Sequence, residues 1–407
     1  MSALRGIRVV ELASERTALA GKLLADMGAD VIVVEPPDGA ATRSYEPFAG
    51  DVPDPEGSLW WWHYNTSKRS VVIDLTTGSG RADLAMLVGT ADVVLEAEPI
   101  GTLAAAGIDH PDLAPPGSAV VWASITHAGR AMPEGPATDL TVLAEGGPVW
   151  SCGYDDHSLP PVRGGGNQGL HTACHYAVAA ILAALMWRET SGRGQHVDVS
   201  MVAAANATTE FATLWWLNAG QTVHRQTGRH AHTSPTEVTQ IQCRDGRWLN
   251  TGVPPRQARE FAALRGWIEE LGLAKECTTM ELLQLGDGYD LISVFQLSED
   301  PLAAEVFQAG RDTIEFLSSH LDAHDLFVGL QQRGMACGVI YSPEEMMNDP
   351  HFVDRGFPVE IDYGDGVSHV HPGAPYRFTA TPWAATRAPR TGEHQALLDG
   401  LRDASGG

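Results

Sequence analysis

A strand–helix–strand pattern in the first thirty-five residues constrains the fold of this chain more than any other feature. Ile7-Arg8-Val9-Val10-Glu11-Leu12 reads as a strand, Thr17 to Met27 as a helix, and Val31 to Glu35, after Gly28-Ala29-Asp30, as a second buried strand. Two such strands joined by a helix pair in parallel through a right-handed crossover. The alternation continues, with strands expected at Ser70 to Leu75, Asp92 to Glu96 and Ala119 to Ile125 and a helix at Gly80 to Val88, so an α/β fold with a parallel sheet covered on both faces is predicted. At 407 residues the chain exceeds what one core usually serves, and two lobes are expected.

The remainder extends the first lobe and supplies the second. Residues 36–66, rich in Pro, Asp and Gly and carrying Trp60-Trp61-Trp62-His63-Tyr64, read as a long and functional excursion. A helix is expected from Gln168 to Arg188, a strand from Gln195 to Met201, and a further helix around Trp215 and Trp216; this pair and Trp60-Trp61-Trp62 read either as an apolar or aromatic pocket or, as is commoner for tryptophan clusters, as core or interface. Residues 221–235 read as an irregular connector; beyond them come a hairpin at Asp245-Gly246, helices at about 256–270, 299–309 and 312–332, and strand-like pieces near 358–362 and 367–371.

Charge narrows the partners. Lys and Arg number 27 against 51 Asp and Glu, a net charge of −24, which repels nucleic acid and anionic membrane surfaces. The five cysteines form no CxxC pair and read as reduced thiols. Residues 1–5 lack the apolar core of a signal peptide, and the apolar stretch near 172–187 reads as too short to span a bilayer, so a cytoplasmic location is expected.

Four features could carry chemistry. Glu35 ends the second strand where a ribose-binding acid would sit, but residues 12–21 hold no GxGxxG, which argues against a dinucleotide site. His171 and His175 share a helix face without an intervening Glu, so structural histidines are expected and no metal. Lys68-Arg69, before a strand, could meet phosphates or form a solvated turn. Gly164-Gly165-Gly166 precedes Asn167, a good N-cap, and is either an anion or thioester cradle at a helix N-terminus or a tight turn.

Several phrases together resemble the family III CoA-transferases, which include formyl-CoA and carnitine-CoA transferases and α-methylacyl-CoA racemase. They are Leu4 to Glu11, Leu23 to Ile32, Lys68-Arg69-Ser70-Val71 with Asp74-Leu75, Thr190 to Met201, Asp349-Pro350-His351 and Gly392-Glu393-His394, in order along nearly the whole chain. The resemblance implies a Rossmann-like large domain from both chain ends (1–224 and 331–407), a smaller α+β domain (225–330), and two interlocked chains. It also implies a coenzyme A ester and a carboxylate as substrates, with no covalently bound cofactor. In these transferases an aspartate attacks the thioester, giving a mixed anhydride and then an enzyme-bound acyl-CoA.

At the position of that aspartate stands Gly165, and no carboxylate occurs between Asp156 and Glu189. The racemase pattern of a His-Asp step is matched only by Thr138-Asp139, which argues against racemisation. The CoA-contact positions implied are Lys68, Arg69, Glu96, Ala97 and Thr126. The phrase after Glu96 is Ala97-Glu98-Pro99-Ile100-Gly101 instead of an Asn-Phe-Arg sequence, which puts CoA affinity in question. The expectation is therefore the non-nucleophilic subunit of a hetero-oligomeric acyl-CoA:carboxylate CoA-transferase with an Asp-bearing homologue. The alternatives are a stand-alone acyl-CoA enzyme (racemase, hydratase or thioesterase-like), with Asn167 and Gln168 polarising a carbonyl and His127, Asp139 or His171 as base, and a non-catalytic CoA-ester-binding partner.

Overall fold

The computed structural model describes residues 2–405 apart from 134, 136, 294, 295 and 365. It divides into two compact units, one of residues 1–153, 160–222 and 347–407, the other of residues 154–159 and 223–346.

The first unit is built on six parallel strands: β1 (Arg8–Leu12), β2 (Asp30–Glu35), β3 (Arg69–Val72), β4 (Val93–Glu96), β5 (Val121–Thr126) and β6 (His196–Ser200), in the order β3-β2-β1-β4-β5-β6. That is the doubly wound order expected when successive crossovers are right-handed and the winding reverses once, between β1 and β4. Alternate residues face opposite helical layers. Val9, Val31, Val93 and Ala123 pack against α1 (Ala18–Asp26) and the long helix, whereas Val10, Ile32, Val94 and Trp122 pack beneath α3 (Gly78–Val88) and the C-terminal helix. Both faces of the inner strands are buried, which is why β1, β2, β4 and β5 read as largely apolar runs, whereas the edge strand β6 alternates.

Between β2 and β3 the expected irregular excursion contains a helix, α2 (Leu59–Tyr64), started by the Ser58 hydroxyl accepting from Trp61 N. Two short helical turns, α4 (Thr102–Ala105) and α5 (His110–Leu113), follow β4; α6 (Asp139–Gly146) and α7 (Gln168–Ser191) separate β5 from β6, and α8 (Met201–Ala207) and α9 (Glu210–Ala219) come after. At 24 residues α7 is longer than expected, and with a stretch of mean hydropathy 1.5 inside it, it is long and apolar enough to cross a bilayer. Ala173, Ala177, Ile181 and Ala184 fill the core against the sheet, so it is a core helix.

The Thr190–Met201 phrase is explained locally. Gly192 ends α7 in the left-handed region, and a Cβ on Gly194 would stand 1.9 Å from Val120 O, so only glycine lets the chain enter β6 beside β5.

The second unit holds a hairpin, β7 (His224–Gln226) and β8 (Arg229–His232), where an irregular connector was expected, turned by Gly228 at φ 64°. Next come β9 (Gln240–Gln242), β10 (Trp248–Thr251), α10 (Ala258–Glu270), α11 (Met280–Leu285), α12 (Pro301–His320), α13 (Ala323–Gln332), β11 (Cys337–Val339) and α14 (Pro343–Met346). The break expected near residue 310 lies instead at 321–322: Gly310 sits inside α12, where a Cβ would approach Pro255 Cδ to 3.1 Å. Close helix packing selected that glycine. Because β11 pairs with β10, this compact unit extends past residue 330.

The chain then returns to the first unit through α15 (Pro350–Asp354), the hairpin β12 (Pro358–Gly364) and β13 (Val367–Pro372), and α16 (Ala396–Ser405). Gln395 exchanges side-chain hydrogen bonds with Val72 N (2.8 Å) and O (3.1 Å), and His394 N donates to Ser70 O. The Gly392-Glu393-His394 phrase therefore covers the open edge of β3, which a lone edge strand needs.

Candidate active site at the head of the long helix

The glycine run lies in the loop that enters α7. Gly165 has ordinary backbone angles and nothing within 4 Å of where a Cβ would stand, whereas Gly166 has φ 77°. A side chain at 165 would project into open space.

Asn167 occupies the N-cap position but its side chain makes no cap hydrogen bond. The cap comes from α6: Asp139 Oδ1 accepts from Gly169 N (2.8 Å) and Leu170 N (3.1 Å), and Oδ2 receives Arg163 Nη1 at 2.8 Å. The Arg163 guanidinium also donates to Gly166 O, bracing the loop. Asp139, a candidate base in the sequence reading, is buried with both oxygens engaged. Its place opposite the helix N-terminus suits a carboxylate, because orphan N–H groups and the helix dipole both stabilise it.

Freed from capping, the Asn167 side chain lies near the Tyr64 hydroxyl, and Tyr64 Oη lies 2.7 Å from His171 Nε2. Burial raises the Tyr64 pKa and lowers that of His171, so the phenol stays protonated and the imidazole neutral at pH 7. In those states Tyr64 donates to Nε2, and the proton of His171 sits on Nδ1. Gln168 is exposed beside Gly164. His127 lies apart: Nε2 is 3.0 Å from Glu145 Oε2 of α6, without hydrogen-bond alignment, and no bond joins it to the Tyr64–Asn167–His171 group among the described residues.

The expected CoA-contact residues divide into two groups. Lys68 is fully buried, its Nζ donating to Glu11 Oε1 (3.1 Å), Ala18 O and Asn65 Oδ1 (2.9 Å each) and ion-paired with the same carboxylate, 2.8 Å from Oε2. All three ammonium protons face inward, so Lys68 ties β1 to the turn before β3 and presents no charge to a phosphate. Gly21 makes room, since a Cβ there would meet Glu11 Oε2. Arg69 is half-exposed and paired with Asp30 at 3.2 Å.

Glu96, Ala97 and Thr126 lie at the carboxyl ends of β4 and β5, the edge where open α/β sheets take ligands. Glu96 is buried and burial raises its pKa; it accepts from Glu98 N at 2.8 Å and faces Arg130, which also binds Asp109 at 2.5 Å. Ala97 belongs to the core. Thr126 donates to Asp198 Oδ1 at 3.0 Å and accepts from Gly129 N. Glu35, the would-be ribose acid, is clamped by Arg43 (2.6 and 2.8 Å) and Ser70, and Arg43 stacks 3.8 Å over Trp61.

Tyr64 was marked in the sequence only as one of the aromatic cluster at 60–64, without a role, and Arg163 and Arg130 went unnoticed. Of those two, only Arg163, adjoining the glycine run, was marked by its position.

This arrangement matches a family pattern along the chain: the model of CoA-transferase family III fits residues 4–395. The chain belongs to CoA-transferase family III.

Among relatives of this family III chain, succinyl-CoA:(R)-benzylsuccinate CoA-transferase subunit BbsE of Thauera aromatica is 29% identical over 95% of this chain and 91% of that protein. Succinate–glutarate CoA-transferase of Agrobacterium fabrum is 30% identical over 97% and 94%. A CAIB/BAIF family protein from Brucella suis has the same fold, with TM-score 0.75 and 25% identity over 98% of this chain and 99% of that one. Family membership makes a CoA thioester the substrate class.

Proposed function

We propose that this chain is the non-nucleophilic subunit of a hetero-oligomeric acyl-CoA:carboxylate CoA-transferase, working beside a homologue that carries an aspartate where Gly165 stands. The observation that carries the reading is the open position at Gly165 together with the absence of any carboxylate from 157 to 188. Covalent transfer through an anhydride needs a carboxylate nucleophile. Asp139, beside the same loop, is held as a helix cap.

Two further observations support a partner chain. Met186, Trp187, Phe211, Trp216 and Leu217 of α7 and α9 are exposed, Met186 at 74% and Leu217 at 71%, and an apolar surface of this kind marks a protein interface. An interlocked arrangement of two homologous chains would cover it. The Thauera relative is itself named as a subunit. A stand-alone reaction at the glycine run has less support, because the Gly169 and Leu170 N–H groups already bind Asp139.

The test is thioester exchange between an acyl-CoA and a free carboxylate, measured for the purified chain alone and after co-expression with an Asp-bearing homologue. No exchange alone, and exchange in the pair that vanishes when the partner's aspartate becomes alanine, is the expected result. Exchange by the lone chain at an ordinary enzyme rate sinks the reading.

A further inference from the structure

Away from the glycine run, the segment around the β12–β13 hairpin encloses a cavity of about 460 Å³ lined by Arg355, Glu360, Tyr376, Arg377, Phe378 and Trp383, among others. Its size falls in the usual range for small-molecule sites. Two features suggest a built site.

The first is a reciprocal clasp. Arg355, just after α15, donates through Nη2 to Pro375 O (3.2 Å), while Arg377 donates through Nη2 to Asp354 O (2.9 Å). Each guanidinium is thereby fixed by one N–H and keeps the rest of its fork for another acceptor. Gly356, at φ 66° and without a Cβ, lies close against Arg377. Among the described residues neither arginine pairs with a carboxylate, while Glu360 on the wall contributes one negative charge against two positive ones.

The second is the aromatic wall. Tyr376 and Phe378 pack with ring centroids 5.1 Å apart, and Trp383 completes the lining; Phe378 remains 40% exposed. Rings beside anchored guanidiniums offer a flat apolar group somewhere to stack and an attached anion a bidentate partner.

From this geometry we infer that the cavity binds an aryl carboxylate, its ring against Tyr376, Phe378 and Trp383 and its carboxylate between Arg355 and Arg377. None of the residues lining the cavity belongs to the glycine run, and the inference does not rest on the subunit reading.

Titration of the full chain with benzoate and phenylacetate, followed by tryptophan fluorescence and calorimetry, tests it, with benzyl alcohol and acetate as controls. The aryl acids are expected to bind at least ten-fold more tightly than either control, with affinity falling as salt rises. The double variant R355Q/R377Q should lose that binding at least ten-fold with an unchanged circular dichroism spectrum. R377K, which keeps the charge but loses the planar fork, should bind with intermediate strength. Equal binding of benzyl alcohol would reduce the site to an apolar cleft, and either that outcome, retained binding in a folded double variant, or no binding of any aryl acid at millimolar concentration overturns the inference. If the double variant does not fold, R377K decides: affinity equal to the native chain's overturns the proposal.

Discussion

At the residue scale, the decisive positions are those where a side chain's surroundings settle what it can do. Gly165 needs neither positive φ nor the space a Cβ would take, so Gly165→Asp is expected to fold with a melting temperature within a few degrees of the native chain, as scanning calorimetry would show. Lys68 is the opposite case. Replacing it by Met leaves Glu11 buried without its cation, and a loss of about 3–5 kcal/mol is expected in urea unfolding. His63 gives a pH dependence: burial, with the charge of Lys22 adding to it, pushes its imidazole down to about 4. Above pH 6.5 it is neutral folded and unfolded; below that the unfolded chain takes up a proton that the folded one refuses. Stability should therefore fall between pH 6.5 and 4, by up to about 3 kcal/mol from this group, and His63→Gln should flatten that decline in unfolding curves taken at pH 7 and 5.

Among the elements, α7 carries the candidate site, and its N-terminus is held by a residue thirty positions away. Asp139→Ala should cost about 1–2 kcal/mol for the lost cap and uncouple Arg163 from the loop, seen as faster amide exchange in residues 163–170. Unchanged exchange there would contradict the capping role. A helix starting near Gln168 was legible because Asn167 precedes a long apolar run. The true cap was not, because an aspartate at the start of α6 looks the same in sequence whether it caps its own helix, serves as a base or reaches across to another. Gly310 shows the same limit: a glycine in a helical pattern signals a break unless a neighbouring element needs the room.

Over the whole molecule, each compact unit has its own apolar core, with Leu249, Phe261, Leu264, Leu317 and Leu326 in that of the second. Leu264→Ala should cost about 2–5 kcal/mol, with exchange protection lost mainly within residues 223–346. The sequence by itself determined the parallel α/β architecture, the positions of all six strands of the main sheet and the family resemblance. Those follow from local periodicity and from glycines such as Gly194 that admit no other residue. It also determined that no carboxylate stands between Asp156 and Glu189, around the entry to α7, which is a matter of covalent order alone. Only the tertiary structure decided which charges are available. Lys68 faces Glu11, Glu35 faces Arg43 and Asp139 faces a helix end, whereas Arg355 and Arg377 are left with free donors. Whether a charge is internally satisfied depends on partners far apart in the chain, and the cost of burying it unpaired forces such pairs to form wherever the packed sheet and helices bring them together.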